Sequence, residues 1–149
     1  MEEFKVDIWR KDNINVRYKS LNQVEKQKII DDIAGKLKIR LSSGSILFTK
    51  LLEILIDQMI LLNINEPDGF ECLVSIFNLN ISEDAVVNVI WDYDSIDCFE
   101  LDTLKRYWEY IWYGTSDEMC LLYIPEISFF VVVTDYGTMY YCDSGKVCR

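Results

Sequence analysis

Residues 119–142, MCLLYIPEISFFVVVTDYGTMYYC, are the stretch of sequence that decides the fold. Three apolar runs, MCLLYI, SFFVVVT and TMYYC, are separated by Pro125-Glu126 and by the Asp-Tyr-Gly of residues 135–137, which favour turns. Short apolar runs joined by tight turns predict a three-stranded antiparallel meander. The run FFVVV is apolar at every position, so we expect it to be a central strand that is covered on both faces.

An amphipathic helix is predicted upstream, over residues 45–62, with Ser45 as a suitable N-cap. Its charged residues Lys50, Glu53 and Asp57 are spaced three and four apart, so they fall on one helical face. Three charges within this stretch favour a helix of a soluble protein over a membrane span.

The segment directly before the meander predicts a second helix, which runs from Asp97 as its N-cap to residue 112 or 113. Asp97-Cys98-Phe99-Glu100 fits a capping box, and Gly114 stands where a left-handed residue ends many helices. An apolar stripe with helical spacing predicts the buried face of this helix. The members of the stripe are Leu101, Leu104, Trp108 and Ile111.

The N-terminal part of the chain predicts a hairpin followed by a helix. Residues 4–18 alternate between apolar and polar positions on both sides of a polar turn, which is typical of a β-hairpin. Ser20 is a suitable cap for a helix that runs to about residue 34, and Gly35 is expected to end it.

The middle of the chain is harder to assign. A turn at residues 66–69 precedes an apolar run at 69–80 that predicts a buried strand. Residues 82–91 combine the acidic start of a helix with valines that prefer a strand, so both assignments remain open. We expect one α+β domain over residues 1–149, with helices packed on one face of a mostly antiparallel sheet.

Composition excludes several classes of function. The chain has no histidine, which removes Ser-His-Asp and Cys-His catalysis and most catalytic zinc sites. Its five cysteines are odd in number and include no CxxC pair, and the N-terminus has no secretory signal, so we expect reduced thiols in the cytoplasm. The six glycines are isolated, so neither a phosphate loop nor another cofactor motif is visible, and no cofactor is expected.

Charge is distributed unevenly along the chain, whose formal net charge is −10. Residues 1–50 carry eleven Lys/Arg and seven Asp/Glu, whereas residues 51–149 carry four basic and eighteen acidic residues. No Lys or Arg occurs from Leu51 to Leu104. Such acidity disfavours nucleic acid as a partner, because phosphates are repelled, and favours a basic protein.

Two segments carry the candidate partner-binding residues: WDYDSIDCFELD at residues 91–102 and YIWYGTSDE at 110–118. Carboxylates in the first segment suit Lys and Arg of a partner, and tyrosines beside carboxylates in the second are typical of a binding hot spot. A Ca²⁺ loop beginning at Asp92 fails at positions 5 and 6, which are isoleucine and aspartate, so no metal is expected. The candidates are Asp92, Asp94, Asp97, Glu100, Asp102, Tyr110, Tyr113, Asp117 and Glu118.

Two other classes of function remain open. The many Asp and Glu residues are compatible with a carboxylate-dependent hydrolase, assisted by Mg²⁺ or acting alone. A structural or regulatory subunit that associates through an exposed strand edge is the other alternative.

The C-terminal part resembles a known class of proteins. The segment LKRYWEYIWYGTSDEMCLLYIPE followed by VVVTDYGTMYY is similar to the C-terminal halves of small bacterial immunity proteins of polymorphic or contact-dependent toxin systems. The resemblance implies a cytoplasmic protein without enzymatic activity, which binds and blocks one cognate toxin, often a basic nuclease, through acidic surfaces. Contact residues vary within such families, so the resemblance transfers no functional residue.

Overall fold

The computed structural model describes residues 1–39, 46–61, 81–113 and 119–143. In chain order, the helices are α1 (Glu3–Lys11), α2 (Gln23–Leu37), α3 (Phe48–Ile56) and α4 (Leu101–Ile111), with a 3₁₀ turn at Pro125–Ile127. The strands are β1 (Lys19–Ser20), β2 (Ile60–Leu61), β3 (Val86–Asp92), β4 (Ser95–Glu100), β5 (Cys120–Ile124), β6 (Phe129–Val133) and β7 (Met139–Asp143).

The seven strands form one antiparallel sheet in the order β1-β4-β3-β5-β6-β7-β2. The predicted meander is confirmed as β5, β6 and β7, and every residue of β6 is buried. The left-handed Gly137 lies in the turn between β6 and β7, where a positive φ favours glycine. The α+β fold class is therefore confirmed.

Helices cover both faces of the sheet, so the expectation of helices on one face is wrong. On one face, Trp9 of α1 and Leu104 and Trp108 of α4 belong to a core that includes alternate residues of β3, β5 and β6. On the opposite face, Ile33 of α2 and Leu52 of α3 belong to a second core with the intervening strand residues. Alternate side chains of a strand point to opposite faces, so the fully apolar β6 requires both layers.

The predicted hairpin at residues 4–18 is also wrong, because α1 is a helix. Lys5 and Trp9 are its buried residues, and their spacing of four places them on the same helical face. The indole of Trp9 donates a hydrogen bond of 2.8 Å to the carbonyl oxygen of Tyr110, at the end of α4. This tertiary anchoring outweighs the local alternation of apolar residues.

α2 begins and ends later than predicted. Its N-cap is Asn22, not Ser20, and a complete capping box joins the Asn22 and Glu25 side chains to each other's backbone N–H groups. Gly35 lies inside the helix, and Lys38 ends it in the left-handed conformation. Apart from the backbone of its own helix, no atom lies within 4 Å of the position that a Cβ atom would take at Gly35. Packing therefore neither requires glycine at this position nor ends the helix there.

The other element assignments are resolved in part. α3 is shorter than predicted, and its charged residues at 50, 53 and 57 are exposed, as the periodicity indicates. The ambiguous segment 82–91 contains a turn followed by β3, so the valines determine its structure. The helix predicted from Asp97 begins at Leu101 instead, although its predicted stripe is buried. Ser45, the turn at 66–69, the strand at 69–80 and Gly114 lie outside the described residues.

Among the described cysteines, Cys142 differs from the prediction. Cys98 keeps a free thiol, and burial raises its pKa. Cys142 is disulfide-bonded, so the expectation that every thiol is reduced is wrong. Disulfides are rare in a reducing cytoplasm.

Among the described helices, none combines the length and the apolar character that crossing a membrane requires.

Candidate functional site

The hairpin of β3 and β4 divides the predicted acidic set between two ends. Asp92 and Asp94 are exposed at its tip, where Asp92 pairs with Ser95. Glu100 is at the opposite end of β4, where it pairs with Val86. Five residue steps along a strand separate the tip from this end by about 17 Å.

Backbone pairing brings four acidic residues to the second end of the hairpin. Asp102, in the first turn of α4, donates its backbone N–H to the carbonyl oxygen of Glu83 over 2.9 Å. Leu101 makes the equivalent bond to Ala85, which holds the start of α4 against the segment that enters β3. We name this group the acidic end; it consists of Glu83, Asp84, Glu100 and Asp102.

Within the described part of the chain, Arg106 is the cation that forms an ion pair with the acidic end. Its guanidinium lies 2.9 Å from the Asp102 carboxylate, one helical turn away. The pair is largely exposed, so water and salt screen it. Glu83, Asp84 and Glu100 are exposed, and they leave the acidic end with a net negative charge.

Apolar side chains border the acidic end. Val86, opposite Glu100, exposes 45% of its surface. Tyr18 is exposed to a similar degree at the same end of the hairpin, but its ring lies 6.0 Å from that of Phe99 and therefore on the α1 and α4 face, opposite to Val86 and Glu100. Residue spacing does not single out Tyr18, Glu83, Asp84 or Val86, because the pairing of β4 with β1 and β3 and the hydrogen bonds at the start of α4 bring them to one end.

Asp97 does not belong to this surface, and its predicted role as a helix cap is wrong. It lies within β4 and is 1% exposed. Its carboxylate accepts hydrogen bonds from the Met1 α-amino group at 2.9 Å, the Trp91 indole at 2.9 Å and the Ser20 hydroxyl at 2.5 Å. A carboxylate enclosed by three donors stabilises the junction of α1, β1 and β3, and it is not available to a partner.

The two predicted tyrosines contact α1 instead of forming an exposed rim. The Tyr110 carbonyl accepts the hydrogen bond from Trp9, and the Tyr113 ring lies 6.1 Å from that of Phe4. Fully buried Lys5 lies between these helices, where its ammonium donates to the Ile111 carbonyl over 2.9 Å. Both tyrosines are half-buried, and the other predicted residues of that segment, Asp117 and Glu118, lie outside the described residues.

A second polar cluster lies under α2, on the other face of the sheet. The Tyr123 hydroxyl donates a hydrogen bond to Asp32 and accepts one from the Lys36 ammonium at 2.5 Å. Lys36 and Asp32 also form an ion pair of 3.2 Å, one helical turn apart. We name this group the α2 triad; its lysine and aspartate side chains are 28% and 42% exposed. Only the Asp–Lys spacing of four could have indicated it from sequence.

The α2 triad shifts the ionisation of each member. Burial opposes the charge on Asp32, but the hydrogen bonds from Tyr123 and Lys36 outweigh it and lower the pKa of Asp32. Burial also opposes the charge on Lys36, but its hydrogen bonds to Tyr123 and Asp32 outweigh burial and raise the pKa of Lys36. Burial, followed by the hydrogen bond to Asp32, raises the pKa of Tyr123, so this hydroxyl is protonated at neutral pH. It acts there as a hydrogen-bond donor and not as a base.

In residues 1–39, 46–61, 81–113 and 119–143, no group of three or more Cys, Asp or Glu side chains is arranged to hold a metal ion. Comparison with known proteins finds no matching family model, no matching curated protein and no matching solved structure. The residues of this chain are therefore the basis on which its function is inferred.

Proposed function

We propose that this protein is a binding protein that neutralises a basic protein partner, as an immunity protein neutralises its cognate toxin. The observation that carries the proposal is the acidic end, where exposed carboxylates from two segments of the chain converge beside exposed Val86 and Tyr18. The proposal has no catalytic step: the protein occludes its partner. A cytoplasmic location belongs to the proposal although the disulfide at Cys142 weighs against it, and cell fractionation tests it.

Electrostatic attraction gives the acidic end its role in the proposed complex. Clustered carboxylates raise the rate at which a basic protein is encountered, and they form charge-assisted hydrogen bonds with Arg and Lys after docking. The hairpin tip with Asp92 and Asp94 adds charge about 17 Å away. An interface of standard size is roughly 30 Å across, so one partner that faces this hairpin can extend over both ends.

Apolar contacts supply the second part of the proposed interface. Charged pairs at an interface contribute more to specificity and to the association rate than to affinity, which depends on a few well-packed side chains. Tyrosine is enriched among such side chains. Val86 lies beside Glu100, and Tyr18 lies on the opposite face at the same end of the hairpin, so we assign them as the apolar anchors of the complex.

Capture of the partner from a lysate of the native host tests the proposal. The immobilised protein is expected to retain one basic protein at low salt and to lose much of it at high salt, because the Debye length falls as salt is added. The retained protein is identified by mass, and its activity is then measured with and without the captured chain. Retention without inhibition, or no salt-sensitive retention, contradicts the proposal.

A second candidate is self-association through β2. Among the described residues, this strand is the last in the sheet order, and its residues Ile60 and Leu61 are exposed. Exposed apolar edge strands are templates for pairing with another chain. Light scattering over a wide concentration range tests this candidate: a strict monomer excludes it, and an oligomer that Ile60→Lys dissociates supports it. The carboxylate-dependent hydrolase stays a prediction that a titration with Mg²⁺, followed by melting temperature, tests.

A further inference from the structure

A row of polar residues crosses the sheet on the face that α2 covers. The strand register places Asn88 of β3 directly opposite Cys98 of β4 on one side and Tyr123 of β5 on the other. Side chains of directly opposed residues lie on the same face, with Cβ atoms about 5 Å apart. The next row on this face, in contrast, is apolar and contains Ile96, Ile90, Leu121 and Val132.

The side-chain amide nitrogen of Asn88, Nδ2, is the donor in this row that lacks a hydrogen-bond acceptor among the described residues. Asn88 is 2% exposed, so this donor is buried. A buried donor left unsatisfied costs about 1–3 kcal/mol, so such groups are rare in folded proteins and call for a specific explanation.

Neither neighbour of Asn88 satisfies this donor. The Tyr123 ring stacks on Phe130, with centroids 4.8 Å apart, and its hydroxyl bonds to Asp32 and Lys36. Cys98 has a thiol, which is a weak hydrogen-bond acceptor. Neither Cys98 nor Tyr123 therefore offers an acceptor oxygen to the side-chain amide of Asn88.

The row of Cys98, Asn88 and Tyr123 lies next to the solvent-exposed end of this sheet face and not at its centre. Beyond it on the same face, the register places Val86 and Glu100, both of which are exposed. Cys98 itself is half-buried, and the charged residues of the α2 triad are also partly exposed. The side of Cys98, where Lys19 of β1 is its register partner, is therefore the side of the row nearest to solvent.

We propose that Asn88, Cys98 and the α2 triad form a binding site for a small neutral molecule that carries an amide or similar carbonyl oxygen. The oxygen accepts the hydrogen bond from Asn88 Nδ2. Asp32 pairs with Lys36, and Lys19, opposite Cys98, pairs with Glu25, so the site has no net charge with which to hold an anion. Burying an anion without a counter-charge is costly, which favours a neutral carbonyl over a carboxylate. This inference is independent of the proposed function.

Titration of the ¹⁵N-labelled full chain with acetamide, followed by NMR, tests the site. The side-chain NH₂ signals of Asn88 are expected to shift and then saturate, while those of Gln27, which donates to Asp31 on the exposed face of α2, stay in place. Acetate at the same concentrations is expected to produce no saturable shift. Equal, linear shifts at Asn88 and Gln27 would overturn the proposal, as would an Asn88 amide that contacts a buried water and ignores acetamide.

Alkylation of Cys98 provides a second measurement that is independent of the NMR assignment. Iodoacetamide carries the proposed amide; the Cys98 thiolate displaces iodide, a C–S bond replaces the C–I bond, and the thiol proton passes to solvent. The rate at the Cys98 peptide, measured by mass spectrometry, is expected to saturate with reagent and to become linear in Asn88→Leu. A rate that is already linear in the native chain would contradict the site.

Discussion

The two faces of the sheet each hold a polar network beneath helices, but one network is closed and the other is partly open. On the α1 and α4 face, the ion pair between Asp97 and the Met1 α-amino group is almost completely excluded from water. On the α2 face, Asp32 and Lys36 retain contact with solvent. The Asp97 carboxylate is almost completely removed from water, so it and its partners depend on each other for stability, whereas the charges in the open network are screened.

The largest effect is expected at the closed network. Asp97→Asn removes the counter-charge of the buried Met1 ammonium while keeping the side chain's size, so the free energy of unfolding should fall by about 3–5 kcal/mol. Urea denaturation at neutral pH measures the loss. Asp92→Asn, at the exposed hairpin tip, is the matched control and should change stability by less than about 0.5 kcal/mol. Equal effects of the two substitutions would contradict the distinction between buried and exposed carboxylates.

A smaller effect is expected at the α2 triad. Tyr123→Phe keeps the stacking on Phe130 but removes the hydroxyl that links Asp32 to Lys36. The ion pair between Asp32 and Lys36 remains, so we expect a loss of about 1–2 kcal/mol in the same denaturation experiment. A loss of stability as large as that of Asp97→Asn would show that the α2 triad is as fully shielded from water as the Asp97 carboxylate.

Capping of α2 should contribute still less. Asn22→Ala removes the side-chain acceptor of the capping box and should cost about 1 kcal/mol. α3 has no side-chain cap at its exposed N-cap residue Leu47, so Leu47→Ala should leave that helix start unchanged. Hydrogen exchange of the first turn of α2 measures the local effect. Unchanged protection in Asn22→Ala would show that packing alone holds this helix start.

The pH dependence of stability should be modest, and it should come from the open network. The raised pKa values of Lys36 and Tyr123 contribute stability that is present below pH 10 and is lost as the pH rises through their folded-state pKa values. The lowered pKa of Asp32 contributes stability that is present above about pH 4 and is lost as the pH falls through its folded-state pKa.

Denaturation of the native chain and of Tyr123→Phe between pH 7 and pH 11 separates this contribution. The native chain should lose more stability than the variant as the pH rises, since the variant lacks the hydroxyl that titrates. Identical alkaline profiles would show that the α2 triad does not govern this range of pH.

Sequence alone predicts the elements whose residues carry their own structural signal. The meander has uniform apolar runs and turn residues, and the stripe of α4 has helical spacing, so both are predicted correctly. α1 is missed because Lys5 and Trp9 are buried by α4, a contact that their local pattern does not reveal. Asp97 is misassigned because an aspartate before a helical stripe is typical of a cap, while its partners come from the distant Met1, Ser20 and the neighbouring strand.

The candidate surface shows the same limit. Residue spacing identifies an acidic segment, but only strand pairing determines which carboxylates are neighbours: Glu100 lies with Glu83 and not with Asp94. The number and sign of charged residues in the sequence therefore indicate what kind of partner to expect, but they do not indicate which charged residues lie on one surface.

Capture of the partner with three forms of the chain tests the central claim most directly. The native chain, E83Q/E100Q and D92N/D94N are immobilised in parallel and exposed to lysate of the native host at low and high salt; each variant loses two negative charges. We predict that E83Q/E100Q retains much less of the basic partner at low salt and depends less on salt, while D92N/D94N stays closer to the native chain. Equal retention by both variants would contradict the assignment of the acidic end as the principal binding surface.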